Sequence, residues 1–416
     1  MRAVFVQSYL KYDKNEFRAA QYHGAIFAEE FCRQGHQAWK MIDGNPEVDI
    51  PISPLLLVSS QQQRISPDYW AEQKFDLIVV YGGHDLSFYP MYQAIKKGLP
   101  NCLLVLKTDA VHGMVEVSIK NILKTFTTYY VRIRNGGAKF LKWNGFDGTY
   151  KIPIIPSIVF AIGKCVKSFL KHERKLLPLI DLVDYVSYEN KYAIVETQDW
   201  LRRQKRKDLV DKIVWLGYPV RDSFALSIEG IIRQSNSIIS VANWKHAKDI
   251  KLHAEAISLV FQKNQQSTLT IIGNNSDKLY DLIKRISPLH IHRVKVIKEI
   301  QNSELGKYLQ CSQVFMACSI IEGICSTPIE AMSSGCSCAL SCGCGVPCFS
   351  EFVQNNCGTQ AKSRRPNDMA EAVLKELSLW QNGLRNSDTI KKEWSRTLVS
   401  SGYKILVKLC NSKICM

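Results

Sequence analysis

From Ser237 to Trp380 the sequence keeps one rhythm, a short apolar run followed by a segment of helical period. The runs "SIISVAN" (237–243), "STLTIIG" (267–273), "RVKVIK" (293–298), "QVFMACS" (313–319) and "SCALS" (337–341) read as strands. The segments "DIKLHAEAISLVFQK", "SDKLYDLIKRI", "SELGKYLQ", "PIEAMSSG" and "DMAEAVLKELSLW" read as helices. In the first of these, Ile250, His253, Ala254, Ile257, Val260 and Phe261 recur at helical spacing. Strands that alternate with helices predict an open parallel sheet covered on both faces.

The first half repeats the pattern in outline. "RAVFVQSY" is a buried strand, a helical pattern runs from Phe17 to Arg33 and stops at Gly35, and "HQAWKMI" is a second strand. "FDLIVVYGG" (75–83) and "NCLLVLKTD" (101–109) are further strands, with the short helix "QAIKKGL" between them. A length of 416 residues exceeds one ordinary core and suits two domains. The expected division is an N-terminal α/β domain over 1–216, a C-terminal α/β domain over 217–385, and a helical tail over 386–416 that packs back on the first.

Residues 114–180 break the rhythm. They hold twelve Lys and Arg against three acids, with aromatic and aliphatic residues interleaved. The whole chain carries a formal charge of +16. Such a surplus calls for an anionic partner: a phosphorylated small molecule, an anionic membrane surface or nucleic acid. Lys164, Lys167, Lys171 and Lys175 recur at helical spacing beside Ile162, Val166, Phe169 and Leu170, the pattern of an interfacial amphipathic helix. No aromatic-lined groove motif or recognition helix supports nucleic acid. The longest apolar segment, "IPIIPSIVFAIG" (152–163), is too short to span a bilayer and contains two prolines. The expectation is a cytoplasmic protein, peripheral on the cytosolic face of a membrane.

"SIIEGICSTPIEAMSSGCSCALSCGCGVPC" (319–348) holds Glu322 and Glu330 with seven residues between them, and six of the 14 cysteines. Glu322 and Gly323 follow a buried strand, where open α/β sheets bind ligands. Thr327 suits an N-cap, Pro328 the first helical position, and Glu330 completes a capping box. A helix start of this kind offers unpaired N–H groups to a phosphate. Equally, Glu330 could serve only as a cap and Glu322 as a solvated turn residue. The cysteines lack a disulfide framework and mostly lie in apolar runs, where cysteine acts as a small hydrophobe. No metal site is expected from them.

The same stretch resembles the sugar-donor motif of retaining glycosyltransferases of the GT-B architecture, above all family four, the glycogen-synthase-like and mannosyltransferase-like group. The shared pattern is Glu-Gly, a variable stretch, Glu-Ala-Met and a following Gly, then a small-apolar strand and a Gly-Val-Pro loop. Upstream, "SVANWKHAKDIKLHAEAI" is similar to the family's diphosphate-holding strand, loop, lysine and helix, and "LTIIGNNSDKL" to its next strand and glycine turn at Gly273. The resemblance covers residues 210–380 well and the first half in outline.

It implies two Rossmann-like domains facing across a cleft. It also implies transfer of a sugar from a UDP- or GDP-sugar to a hydroxyl acceptor, lipid-linked or glycan, with retention of configuration. No bound cofactor or metal is implied. By position, Glu322 would touch the sugar hydroxyls, and the backbone of Gly323, Ile324 and Cys325 would lie near the sugar. Glu330 would hold the ribose, Thr327 would start the phosphate-facing helix, and Lys248 would meet the diphosphate. The family's arginine five residues before that lysine is here Asn243, with Lys245 as a stand-in. The glycine-rich loop after the first strand is absent, and the glutamate after Gly-Val-Pro is Cys348. Asp109 or His112 occupies the place of a histidine, and Gly83 and His84 follow a strand on the acceptor side. The alternatives are a nucleotide-sugar epimerase of the same fold, or a basic nucleic-acid or membrane-binding protein without catalysis.

Overall fold

The computed structural model describes residues 1–11, 24–44, 55–81, 88–108, 119–134, 153–322, 325–343 and 345–414. The chain divides into two compact units. The first comprises residues 1–116, 169–221 and 396–416, the second residues 117–168 and 222–395. This differs from sequence boundaries at 216/217 and 385/386, because linear boundaries cannot show a chain that returns to an earlier unit. Residues 117–168, which the sequence reading placed in the N-terminal domain, group with the second unit.

The first unit holds a seven-stranded sheet. Its strands are β1 (Arg2–Lys11), β2 (Gln37–Asp43), β3 (Leu56–Ser59), β4 (Leu77–Tyr81), β5 (Leu103–Thr108), β6 (Tyr185–Tyr188) and β7 (Ile213–Trp215). They lie in the order β3-β2-β1-β4-β5-β6-β7, and every pairing is parallel. β4 and β5 are buried along their whole length, as strands covered on both faces must be. One polar exception in β5 is Lys107, fully buried, whose Nζ donates to Gly217 O at 2.7 Å and lies 3.4 Å from Glu189 Oε1. A buried ammonium is tolerated when it is paired and hydrogen-bonded in this way.

Residues 396–414 complete this unit. Val220 and Leu398 form a parallel bridge, and the helix Val399–Ile414 packs on the helix Gly24–Arg33. Tyr403 meets Phe31 edge-on at 4.8 Å and its hydroxyl lies 2.9 Å from His36 Nε2. Gly402 faces Phe27 so closely that an added Cβ would stand 2.8 Å from the ring. At the far end Lys413 donates to Cys102 O at 2.6 Å and to Asp184 at 2.7 Å.

In the second unit six strands form a sheet: β8 (Ser237–Val241), β9 (Thr268–Ile272), β10 (Val294–Ile297), β11 (Val314–Ala317), β12 (Ser337–Leu340) and β13 (Gly358–Gln360). Their order is β10-β9-β8-β11-β12-β13, again all parallel. This is the doubly wound arrangement. The order reverses between β8 and β11, where Val314 pairs with Ile238. The helix Ile250–Lys263 buries Leu252, Ala256, Ile257, Val260 and Phe261 against the sheet. The loops after β8 and β11 therefore diverge at the carboxyl edge and leave room for side chains of both.

Candidate active site

The site of interest lies at that reversal point. The loop after β8 turns through a single 3-10 turn, His246–Lys248, before the helix Ile250–Lys263 begins. The loop after β11 runs from Cys318 into the helix Ser326–Ser333. One backbone bond ties the two loops together, Ile320 N donating to Ala247 O at 2.8 Å, and Glu322 N donates to Gly345 O of the loop after β12, also at 2.8 Å. Gly345 can lie this close because it lacks a side chain; a Cβ there would stand 2.3 Å from Ile320 O. On the other flank Gly273, at φ +118°, lies against the loop after β8, where a Cβ would meet Ala242 O at 2.1 Å. Only glycine combines that dihedral with that approach.

Across the joined loops the Lys248 ammonium forms a short ion pair with Glu322 Oε1. Both groups are partly exposed, at 22% and 14%. Burial by itself would push the lysine down, but the anionic surroundings, with the Glu322 carboxylate against it, outweigh burial and raise its pKa above the ordinary value. Lys248 is thus a cation at every physiological pH. It lines a small cavity together with Trp244, His253, Cys318, Cys325 and Thr327.

The helix beside this pair starts earlier than its sequence suggests. Cys325 is the N-cap, with no side-chain cap bond, and Ser326 is the first helical residue. Thr327 is therefore the second helical residue and Pro328 the third, where a missing N–H still falls among the unpaired first-turn donors. The expected capping box is not formed. Glu330 is the fifth residue of the helix, beyond the position from which a box side chain reaches back. It is buried, at 5% exposure. The Cys325 thiol instead sits 3.7 Å from Thr327 Oγ1.

The remaining expected residues divide clearly. Asn243 and Lys245 are exposed on the loop after β8, and Asn275 Nδ2 approaches Asn243 Oδ1 at 3.5 Å. Trp244 between them is core: its indole N–H donates to Ile272 O at 3.1 Å, and its ring meets His253 edge-on at 5.2 Å. Gly83, His84, Asp109, His112, Gly323 and Ile324 lie outside the described residues. The twelve described cysteines are free thiols, and among the described residues no cluster of His, Cys, Asp and Glu has metal-binding geometry.

Two features escaped the sequence reading. Arg364, in the loop after β13, reaches back to three carbonyls at the carboxyl edge: Cys318 O at 2.8 Å, Ser319 O at 2.8 Å and Cys342 O at 3.2 Å. It also pairs with Asp249 at 2.6 Å. His253, under the loop, is fully buried, with Nε2 3.1 Å from Ser240 Oγ. Burial drives its pKa down to about 3, against an opposing pull from Asp249. Arg364 belongs to a polar "SRRPND" run after a strand, which is a sequence signal for a carboxyl-edge loop and for nothing more.

Two doubly wound parallel sheets in one chain are the arrangement of the GT-B fold. The comparisons with known proteins carry this further. Residues 225–392 match the family described as "Glycosyl transferases group 1". No curated protein matches it in a sequence search. Solved structures share the fold over nearly the whole length. A glycosyltransferase from Rickettsia africae aligns with a TM-score of 0.59 at 13% identity, covering 99% of each chain. HepE of Anabaena, solved with UDP and glucose, aligns at 0.56 and 11% identity, covering 99% of this chain and 100% of its own. The trehalose 6-phosphate synthase of Burkholderia multivorans aligns at 0.59 and 10%, covering 100% and 99%. At such identities the likeness is one of fold.

Proposed function

We propose that the protein moves a sugar from a nucleoside-diphosphate sugar to a hydroxyl acceptor, with retention of configuration, and that the donor binds at the carboxyl edge of the β8–β13 sheet. The observation that carries this reading is the Lys248–Glu322 pair beside the start of the helix Ser326–Ser333. The departing diphosphate gains negative charge as the glycosidic bond breaks. A fixed ammonium and the unpaired N–H groups of a helix start stabilise that charge without reorganisation. In this reading Lys248 exchanges Glu322 for the diphosphate when the donor enters, and Glu322 turns to the sugar hydroxyls. Glu330 accepts from the ribose hydroxyls, and Gly323, Ile324 and Cys325 supply backbone beside the sugar. Thr327, Lys245 and Asn243 border the phosphates, while Gly273 keeps the floor of the loop low. Asp109 is assigned a catalytic role with Glu322 and Lys248, and Gly83, His84 and His112 are assigned to the acceptor side.

HepE solved with UDP-glucose shows that a protein of this fold takes such a donor, which supports the donor class without fixing the sugar or base here. The test is calorimetry of the full chain with UDP and GDP, followed by a donor screen with analysis of the sugar product. Binding of one diphosphate and release or transfer of its sugar with the anomeric configuration kept are the expected results. An inverted product would overturn retention, and an epimerised free sugar would point to the epimerase chemistry of the same fold. Absence of any diphosphate binding would overturn the donor site itself.

A further inference from the structure

The helix Ile154–Leu182 has two apolar sides, and only one of them is used. Ser157, Ala161 and Cys165, spaced by four, are buried. Ala161 packs with Ile133, Phe126, Tyr129 and Tyr130 of the helix Ile119–Arg134, and the Cys165 thiol approaches Ile122 O at 3.6 Å. That side accounts for the hairpin's own small core. A second stripe, Ile155, Val159, Ile162 and Val166, is spaced four, three and four and lies roughly 130° around the helix from the first. Its members are 75%, 60%, 51% and 51% exposed. Ile158 borders it, and Leu123 of the neighbouring helix is also exposed. A single exposed aliphatic residue needs no explanation, but a contiguous stripe on an ordered helix does.

Charge identifies what covers the stripe. The two helices carry nine Lys and Arg against Glu173 and Asp181. Lys164 of the same helix is exposed and lies roughly 170° around from the stripe, and Lys167, Lys171 and Lys175 follow it in sequence. An aliphatic stripe backed by a basic side is the arrangement of a helix lying in the headgroup layer of an anionic membrane. RNA would use the charge but not the stripe, and a protein groove would use the stripe but not the charge. Among the described residues no helix is long and apolar enough to cross a membrane, so the contact is in the plane of one leaflet.

We infer that the stripe Ile155, Val159, Ile162 and Val166 docks the protein on an anionic lipid surface, with the lysines of the same helix supplying the attraction. This goes beyond the donor-site reading and does not depend on it.

The test is flotation of the full chain with vesicles of phosphatidylcholine, with and without phosphatidylglycerol. The parent protein should float with the anionic vesicles, at least roughly tenfold better than with neutral ones, and detach as salt is raised. A stripe variant, Ile155→Ser with Val159→Ser and Ile162→Ser, should lose roughly tenfold or more of that binding. Lys164→Glu should weaken only the anionic component. Unchanged melting temperature and an unchanged circular dichroism spectrum keep a misfolded variant from counting as support. Failure of the parent to float with either vesicle, or flotation of the stripe variant at the parent level, overturns the inference. So does light scattering that finds a parent dimer and a monomeric stripe variant, which would make the stripe an interface between copies.

Discussion

Arg364 holds Asp249 in a conformation that an aspartate seldom adopts. The guanidinium donates to Asp249 Oδ2 at 2.6 Å, while Asp249 Oδ1 accepts from Leu252 N at 3.2 Å and so caps the helix Ile250–Lys263. Between these two bonds the backbone of Asp249 sits at φ 47° and ψ 62°. That left-handed conformation is disfavoured for any residue with a Cβ, though least so for Asp and Asn. The residue before it is Lys248, so the pair fixes the loop that carries the proposed diphosphate contact.

Arg364→Gln should therefore lower both the melting temperature and diphosphate affinity, the latter several-fold, through loss of a charged bond of about 1–3 kcal/mol. Adding Asp249→Gly to that variant should restore part of the affinity, because glycine needs no support at φ 47°. Thermal melts and calorimetry on the two variants check this. An unaltered affinity in Arg364→Gln would show that the loop does not need the clamp.

Lys248→Ala should weaken nucleoside-diphosphate binding by about 1.5–3 kcal/mol while sparing nucleoside binding. The raised pKa of Lys248 means that its contribution should be constant from pH 6 to 9. Titration calorimetry with UDP and uridine, or GDP and guanosine, gives the comparison. Equal losses for both ligands would place Lys248 away from the phosphates.

Glu330 is buried, and the structure removes its role as a helix cap. Glu330→Gln should keep the melting temperature nearly unchanged and weaken nucleotide binding by about 1–3 kcal/mol, since ribose hydroxyls bond a carboxylate more strongly than an amide. Glu322→Gln should instead spare free-nucleotide binding and lower turnover. The reverse assignment of effects would exchange the two glutamates' places in the donor.

His253 gives a prediction in pH. Its folded pKa is held down at about 3 from an ordinary 6.5. Above 6.5 the group is neutral in both states and contributes nothing to the pH dependence. As pH falls from 6.5 towards 3 the unfolded chain takes up a proton that the folded chain refuses, and stability is lost by up to a few kcal/mol. His253→Gln should flatten the melting temperature between pH 7 and 5, while keeping a donor for Ser240 Oγ. An equally steep profile in that variant would assign the acid sensitivity elsewhere.

The second unit was the more legible of the two in sequence. Five of its six strands are short, largely apolar runs, whereas β13, Gly-Thr-Gln, has no apolar signal and went unread. β6 and β7 went unread because four-residue and three-residue strands carry no period of their own. The helix start at Ser326 was misplaced because Thr327 has the side chain an N-cap usually has, whereas Cys325 caps through position alone. Lys248 and Glu322 could be found from local pattern, since each follows its own strand. Arg364 could not: its partner Asp249 is 115 residues away, and only the sheet order brings β13 and the start of that helix to one edge.

The return of residues 396–414 to the first unit orders events during synthesis. A ribosome delivers the whole β8–β13 sheet before it delivers Tyr403, Gly402 or Lys413. Until then Phe27 and Phe31 lack the neighbours that cover them in the finished protein, and Cys102 O and Asp184 lack the ammonium of Lys413. In order of synthesis the β8–β13 sheet is thus complete before the earlier-encoded sheet gains the helix Val399–Ile414, whose Gly402 and Tyr403 lie against Phe27 and Phe31.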